Sequence, residues 1–396
     1  MDIIQSIKNR VGEIHHEILS YRRHLHRHPE LSFEEVETSA FICAVLDKYG
    51  ITYTKGWAGH GIVAMIKADH ADEWIALRAD MDALPIIEAN DVDYASKNAG
   101  VMHACGHDVH TSSMLGACIL LQEMKSQLKK SVKIIFQPGE EKLPGGASLM
   151  IKEGIFAQQV PKYILGQHVF PSLEVGKVGI KSGLYMASAD EIYLTISGKG
   201  GHGAMPHENN DVVLAMAQTI VNLQQIVSRR SNPIIPSVLS FGKVNTDGGA
   251  TNVMPSKVRI QGTFRTMDEP WRKDAHELVR SIVQNTTASF GCQYDLDIKV
   301  GYPCLINHIN LVSQVKKAMI AYLGAENVAD IPIRMTSEDF AFYTQQIPGC
   351  FYRLGTRNEA QGITSPVHTA TFDIDEDALK VGVGLMVYLA VLGIDI

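Results

Sequence analysis

Two hydrophobic patterns alternate along the first half of the chain. Short apolar runs typical of buried strands occur at residues 62–66, 74–77 and 132–136. A longer stretch, residues 111–124, repeats its apolar positions with the helical period. Strands and helices that alternate in this way predict an α/β layer built on a mostly parallel sheet.

The pattern changes after about residue 186. The order there is strand, helix, two strands, helix and strand, which predicts a ferredoxin-like α+β domain. These elements are expected at residues 191–196, 211–227, 237–244, 257–265, 271–289 and 294–300. The α/β pattern resumes near residue 302 and ends in a helix over 376–392. We therefore predict a discontinuous α/β domain, residues 1–186 and 302–396, interrupted by an inserted domain, residues 187–301.

The densest group of metal-ligand residue types is V-M-H-A-C-G-H-D-V-H, at residues 101–110. Thiolate sulfur and imidazole nitrogen bind zinc-like ions better than oxygen alone does. Gly106 is free to adopt a backbone conformation that lets Cys105 and His107 point at one ion. Taken alone, however, this spacing fits a buried cysteine beside surface histidines equally well.

Three other segments also end in ligand-type side chains. A buried strand leads into Glu140 and Glu141, a second strand-like run carries His168, and a loop near the C-terminus carries His368. Of two adjacent carboxylates, one can bind a metal while the other acts as a base. An isolated histidine is more often hydrogen-bonded or solvated than a ligand, but four independent segments of this kind favour a metal centre.

The motifs in these segments resemble those of the aminoacylase-like metallopeptidases and amidohydrolases. The similarity is to the branch that contains hippurate hydrolases, plant auxin-conjugate hydrolases and N-acetyl-diaminopimelate deacetylases. It extends over nearly the whole chain, and the motifs that carry it are R-R-H-L-H-R-H-P-E-L-S, A-L-R-A-D-M-D-A-L-P, M-H-A-C-G-H-D, F-Q-P-G-E-E, G-H-G-A-M-P-H, T-S-E-D-F and V-H-T. So many motifs in order make chance a poor explanation.

The resemblance implies a two-metal centre in the α/β domain, with the inserted domain as a lid and dimerisation domain. The implied ligands are Cys105, shared by both metals, His107, Glu141, His168 and His368. Glu140 would be the general base, Asp82 a carboxylate beside the metals, and His202 a lid residue that stabilises the oxyanion. The ligand set suits Zn²⁺, Mn²⁺, Co²⁺ and Ni²⁺, of which we expect Zn²⁺ or Mn²⁺.

Two positions depart from the wider family. Many peptidase members have H-x-D where this chain has Asp80-Met81-Asp82, and a bridging aspartate where it has Cys105. Both features fit the amidohydrolase branch, so we expect a metal-dependent amidohydrolase that cleaves small N-acyl amino acids.

Three alternatives remain open: a dipeptidase or carboxypeptidase that uses the same centre, a binding module without catalysis, and a protease with Cys105 as nucleophile. The free carboxylate of an N-acyl amino acid would be bound by cationic or amide hydrogen-bond donors. Arg265 at a strand end and Asn252 are the candidate clamps, although an arginine at a strand end is more often just solvated.

Composition excludes several other classes. The net charge is -7, from 36 Lys+Arg against 43 Asp+Glu, which argues against a nucleic-acid surface. The apolar runs are too short to span a membrane, and the first residues lack the apolar core of a signal peptide. Six scattered cysteines predict reduced thiols. We expect a cytoplasmic enzyme and, by resemblance, a homodimer formed through the lid.

Overall fold

The computed structural model describes residues 2–248 and 250–396. The α-helices of these residues are α1 (Ile3–Arg27), α2 (Val36–Lys48), α3 (His107–Glu123), α4 (Gly146–Lys152), α5 (Val212–Leu223), α6 (Glu269–Ser289), α7 (Ile309–Leu323), α8 (Ala341–Thr344) and α9 (Ala378–Leu392). The strands are β1 (Thr52–Trp57), β2 (Gly61–Ile66), β3 (Trp74–Asp80), β4 (Ser131–Gln137), β5 (Pro161–Glu174), β6 (Val178–Ile180), β7 (Gly183–Met186), β8 (Asp190–Ser197), β9 (Gly201–His202), β10 (Ser237–Thr246), β11 (Val253–Met254), β12 (Lys257–Thr266), β13 (Gln293–Val300), β14 (Leu305–Asn307), β15 (Val328–Asp330) and β16 (Gly349–Arg357).

Contacts between residues divide the described chain into two compact units. The first unit contains the described residues up to Tyr185, together with Ile306–Ile333 and Asp339–Ile396. The second contains Met186–Leu305 and Arg334–Glu338. Residues 334–338 fall within the range 302–396 that was predicted for the α/β domain. They join the second unit because the amide of Ala187 donates to the carbonyls of Arg334 and Thr336, at 3.1 and 3.2 Å.

The first unit is built on an eight-stranded sheet in the order β1-β2-β4-β3-β5-β16-β6-β15. Its central strands β4, β3, β5 and β16 run parallel, whereas β1, β2 and β6 make the antiparallel pairings. Helices α1, α3 and α9 pack against one another, and α3 also contacts β3 and β5. The mostly parallel α/β fold is thus confirmed. In such sheets, functional side chains gather at the carboxyl ends of the strands.

The second unit contains a four-stranded antiparallel sheet in the order β10-β12-β8-β13. Helices α5 and α6 pack against each other, and both contact strands β8 or β12 of this sheet. Along the chain the order is β8, α5, β10, β12, α6 and β13, which is the predicted ferredoxin-like order. The alternating side chains Ile192, Leu194 and Ile196 of β8 lie in its core.

Two helices differ most from their predicted bounds. Helix α3 begins at His107 rather than at residue 111, so a candidate ligand lies in its first turn. The helix predicted over 211–227 ends at Leu223 and is followed by a π-helical turn, Ile226–Arg230. In the second unit, the short strand β9 (Gly201–His202) pairs with β11. Among the described residues, none of the helices combines the length and apolarity required to cross a membrane.

Candidate metal centre

The loop before α3 and the first residue of that helix bring Cys105 and His107 close to His168 of β5. Gly106 has a φ of +80°, and a Cβ there would lie 2.6 Å from a methyl carbon of Val169, so this tight approach requires glycine. The Sγ atom of Cys105 lies 3.4 Å from Nε2 of His168, which β5 carries. The ligand atoms of Cys105, His107 and His168 all lie within 4.8 Å of one another.

A second group shares Cys105. The ligand atoms of Cys105, Glu141 and His368 also lie within 4.8 Å of one another, and Nε2 of His368 is 3.1 Å from Oε1 of Glu141. The backbone amide of His368 donates to the carbonyl of Ala104 at 2.8 Å, which ties the C-terminal loop to the cysteine loop. The backbone of His368 is in the left-handed region with a φ of 63°, a strained conformation for a histidine. The five expected ligands therefore lie together.

Asp82 forms hydrogen bonds with two of the expected ligands, His107 and Glu141. Its Oδ1 lies 3.1 Å from Nδ1 of His107, and its Oδ2 accepts from the backbone amide of Glu141 at 2.9 Å. Ser32 donates its hydroxyl to the same Oδ2 at 2.6 Å. Because Nδ1 of His107 faces a carboxylate, Nε2 is left to bind a metal, and this buried atom has no hydrogen-bond partner among the described residues.

The hydrogen bonds of His168 expose its other nitrogen in the same way. Its Nδ1 donates to the carbonyl of Val169 at 2.7 Å, so Nε2 carries a lone pair toward Cys105. Unpartnered imidazole nitrogen next to thiol and carboxylate is a donor set that fits a divalent transition metal. The residues present therefore fit the expected ions.

The electrostatics of the cluster favour positive charge. Burial alone would lower the pKa of His107, but Asp80 and Asp82 outweigh it and raise this pKa to about 10. Burial raises the pKa of the Cys105 thiol well above its usual value, and the nearby Glu141 and Glu140 raise it further. The carboxylates thus oppose a free thiolate at Cys105 and attract a cation that could stabilise one.

Glu140, the expected base, lies beside these ligands and is only 7% exposed. Its Oε1 accepts from the backbone amide of Asp339 at 3.4 Å. The preceding Gly139 donates its amide to Oε1 of Glu35 at 2.8 Å. A Cβ at Gly139, whose φ is +61°, would lie 2.4 Å from the ring of Phe33. The loop that carries Glu140 is therefore held on both sides.

The remaining expected residues, His202, Asn252 and Arg265, belong to the second unit. His202 is exposed on β9, and its Nδ1 accepts from the amide of Ala204 at 3.0 Å. A neutral ring then carries its proton on Nε2, which makes that atom a donor. The carbonyl of Asn252 accepts from the amide of Gly203 at 2.8 Å, so Asn252 lies beside His202.

Arg265 is partly buried near the end of β12. Its guanidinium donates to the carbonyl of Met335 at 3.3 Å and to the hydroxyl of Ser337 at 3.1 Å, both of which are neutral. Burial lowers the pKa of this arginine, because it removes water from around the charged guanidinium. No described carboxylate forms an ion pair with it, so the guanidinium can receive an anion.

Sequence reasoning did not assign roles to several buried residues around the ligands. Asp80 lies between the guanidinium of Arg78, at 2.6 Å, and Nδ1 of His110, at 2.5 Å. Asp339 accepts from Arg78 at 2.7 Å. The three-residue spacing of His107 and His110 places them on one face of α3, but the helix was predicted to begin only at residue 111, so this spacing gave no signal in the sequence.

Buried cysteine, histidine and carboxylate side chains in one cluster are the residue types that metal-dependent hydrolases use. The family model for peptidase family M20/M25/M40 matches residues 76–391, and the chain belongs to this family of metal-dependent hydrolases. The resemblance inferred from the motifs is thereby confirmed.

Three similar proteins illustrate the range of the family. An N-acyl-L-amino acid amidohydrolase of Geobacillus stearothermophilus is 40% identical over 304 residues, which cover 77% of this chain and 81% of the relative. Thermostable carboxypeptidase 2 of Saccharolobus solfataricus is 35% identical over 96% of both chains. A Bacillus subtilis protein, described as a dinuclear metal-binding peptidase of the M20 family, is 34% identical and has a TM-score of 0.81. That comparison covers 96% of this chain and 98% of the solved one.

Proposed function

We propose that this protein hydrolyses the amide bond of N-acyl amino acids at a centre of two divalent metal ions. The observation that carries the proposal is the pair of ligand groups that share Cys105, with Glu140 beside them. Each group has the residues of a site for one ion, and a ligand common to both groups would keep two ions at the short separation typical of two-metal sites. Bound there, two ions would polarise the substrate carbonyl and lower the pKa of water.

The roles of the protein side chains follow from their contacts. Glu140, held by its loop but adjacent to the ligands, takes a proton from the attacking water and passes it to the leaving amine. His202 donates from Nε2 to the oxyanion, as its hydrogen bond to Ala204 favours. In this proposal the second unit is the lid that delivers His202 when substrate binds.

The charge of Arg265 supports a substrate with a free carboxylate. A partly buried guanidinium with neutral partners offers a charge-assisted hydrogen bond to such a group, and Asn252 adds an amide donor. The Geobacillus relative acts, by its name, on N-acyl amino acids. The amide nitrogen of these compounds is uncharged, and their carboxylate is free. Of the two proposed clamps, Arg265 has the stronger structural support.

A carboxypeptidase activity is the second candidate, and the Saccharolobus relative favours it. Peptides also end in a free carboxylate, so Arg265 does not separate the two functions. Hydrolysis of hippurate and N-acetyl amino acids, compared with dipeptides that carry a free amino group, does separate them. Faster turnover of the free dipeptides would replace the amidohydrolase proposal with a peptidase.

Metal dependence is tested on the purified protein by elemental analysis and chelation. We expect up to two ions per chain, Zn²⁺ or Mn²⁺, and loss of activity in chelator that returns when metal is restored. Full activity in excess chelator, without detectable metal, would overturn the proposal.

A cysteine protease would instead form an acyl-enzyme on Cys105. The surrounding carboxylates oppose a free thiolate there, because like charges raise the pKa of the thiol. We therefore expect no acylated Cys105 in mass spectra of the protein with substrate. An acyl group trapped on this cysteine would establish the competing mechanism.

We also propose a homodimer formed through the second unit. Helix α5 exposes Val213, Leu214 and Val221, at 37%, 55% and 64% of their surface. Strand β10 lies at the edge of its sheet, where it can pair with the same strand of a second copy. Light scattering should give the mass of a dimer, and Leu214→Glu with Val221→Glu should give monomers. The cytoplasmic location stays a prediction, testable by cell fractionation.

A further inference from the structure

His110 lies next to the expected ligands, yet both of its ring nitrogens are already bonded. The side chain is completely buried in α3, one helical turn after His107. Its Nδ1 lies 2.5 Å from Oδ1 of Asp80, and its Nε2 accepts from the backbone amide of Val169 at 2.9 Å. Because Nε2 accepts a proton, the ring proton must be on Nδ1, where it is donated to Asp80. No lone pair of His110 is left for a metal.

A third group of possible ligand atoms includes His110, so the state of its ring nitrogens decides whether that group can hold an ion. Asp80, His107 and His110 also lie close enough to hold an ion, with their ligand atoms within 4.8 Å of one another. Asp80, however, accepts from Arg78 at 2.6 Å as well as from His110. A carboxylate and an imidazole that are bonded to each other and to protein donors are already satisfied. This group is therefore a hydrogen-bonded chain rather than a third ion site.

This hydrogen-bonded chain ends at Val169, the residue whose carbonyl orients His168. Val169 donates its amide to His110, and its carbonyl accepts from Nδ1 of His168 at 2.7 Å. The rings of His110 and His168 also pack together, with centroids 4.7 Å apart. His110 thus holds the amide of Val169, while the carbonyl of the same residue fixes the tautomer of His168. The ring of His110 also contacts the ring of His168.

We propose that His110, anchored by Asp80 and Arg78, is a positioning residue that directs Nε2 of His168 toward Cys105. This inference rests on the proposed two-metal function. It assigns the effect to one ion only, because His168 belongs to the group with Cys105 and His107, whereas the group with Glu141 and His368 has no contact with Val169 in the described hydrogen bonds.

Two matched substitutions separate the two bonds of His110. The terminal oxygen of His110→Gln reaches the position of Nε2 and can accept from Val169, whereas the amide of His110→Asn reaches the position of Nδ1 and keeps only the bond to Asp80. His110→Phe keeps a ring and loses both bonds. Ser113→Ala, a buried hydroxyl on the same helix without a described hydrogen bond, controls for disturbance of the core.

The metal-free protein is titrated with Co²⁺, and binding is measured by calorimetry and by the thiolate-to-cobalt absorption band. We expect wild type and Ser113→Ala to bind two ions. His110→Phe and His110→Asn should weaken one ion about 10–100-fold, and His110→Gln should restore much of that loss. Nitrogen NMR of labelled histidines in the metal-free protein should show the Nδ1-protonated form of His168 in wild type and Gln, and a mixture in Asn.

Several outcomes would contradict the proposal. Unchanged binding of both ions by His110→Asn and His110→Phe would remove His110 from any positioning role. Loss of one ion in His110→Gln as complete as in His110→Phe would show that the bond to Val169 does not position His168. If His110→Phe does not fold, the Gln and Asn pair still decides the question. Failure of wild type to bind a second ion would instead overturn the proposed two-metal function.

Discussion

The proposed site residues of the first unit differ in kind from those of the second unit. In the first unit, His107 and His168 are buried, and each holds a hydrogen bond that orients its ring. In the second, His202 and Asn252 are exposed on or beside a two-residue strand. The buried half is organised before any substrate arrives, whereas the exposed half can adapt when substrate binds. Substitutions in the two halves should therefore fail in different ways.

The largest effect is expected for Glu140→Gln. The amide keeps the size of the side chain but cannot act as a base, so kcat should fall about 10²–10⁴-fold. Metal content should not change, because Glu140 is not among the proposed ligands. Steady-state kinetics with elemental analysis checks both expectations, with the exposed Glu34→Gln as control. Wild-type turnover in Glu140→Gln would exclude the proposed base.

The next effect is expected for His202→Ala, in the exposed half. Loss of one oxyanion donor should lower kcat about 10²–10³-fold. Both ions should bind as in wild type, since His202 lies in the second unit. His207→Ala is a matched control, because His207 is a 73% exposed histidine of the same segment. Equal kinetics in the two variants would reduce His202 to an ordinary surface histidine.

A smaller effect, on KM rather than kcat, is expected for Arg265→Met. Losing a charge-assisted hydrogen bond to the substrate carboxylate should raise KM about 10–100-fold. Arg259→Met, on the exposed side of the same strand, should leave KM unchanged. Substrates with an amidated carboxyl group sharpen the test, because they should not distinguish Arg265→Met from wild type. If they do, Arg265 has another role.

The smallest effect on turnover is expected for Asp190→Asn, which tests stability within the second unit. Asp190 is buried and accepts from His276 at 2.7 Å and from Arg272. Burial would raise the pKa of Asp190, but these two partners outweigh it and lower this pKa. We expect a loss of about 1.5–3 kcal/mol at neutral pH, measured by denaturant unfolding.

The pH dependence of that loss gives a second check. A carboxylate with a lowered pKa stabilises the fold above its unfolded pKa of about 3.9, and this stabilisation disappears as the pH falls through the folded value. The difference between wild type and Asp190→Asn should therefore shrink in acid. Asp297→Asn, exposed in the same sheet, is the control. A constant difference at all pH values would show that charge is not the cause.

The hydrophobic pattern predicted the architecture well because burial sets it. Strands such as β4 are buried along their whole length, and those of the second unit, such as β8, alternate, so their patterns differ visibly in the sequence. Helix bounds were less accurate. The first turn of α3, with His107, Asp108 and His110, is polar but completely buried, so a pattern based on hydrophobicity placed the start of the helix too late.

The candidate ligands could be predicted from motifs. The buried residues that form hydrogen bonds around them could not. Arg78, Asp80 and Asp339 are joined by hydrogen bonds across 261 positions of the sequence. Such pairings depend on how strands are ordered in the sheet, which local patterns do not specify. Which of His107 and His110 keeps a ring nitrogen for a metal likewise depends on hydrogen bonds to Asp82 and Val169, which only the folded chain forms.

The attachment of His368 to the carbonyl of Ala104 has a consequence for how the protein is made. This histidine follows the whole inserted unit, and strand β16 and helix α9 of the first unit are also synthesised late. A chain emerging from the ribosome can complete the second unit while its neighbour still lacks a sheet strand. In the proposed two-metal centre, Cys105 therefore lacks the ligand His368 until translation is nearly finished. Thiol-protecting conditions during synthesis should accordingly matter more than those applied to the finished enzyme.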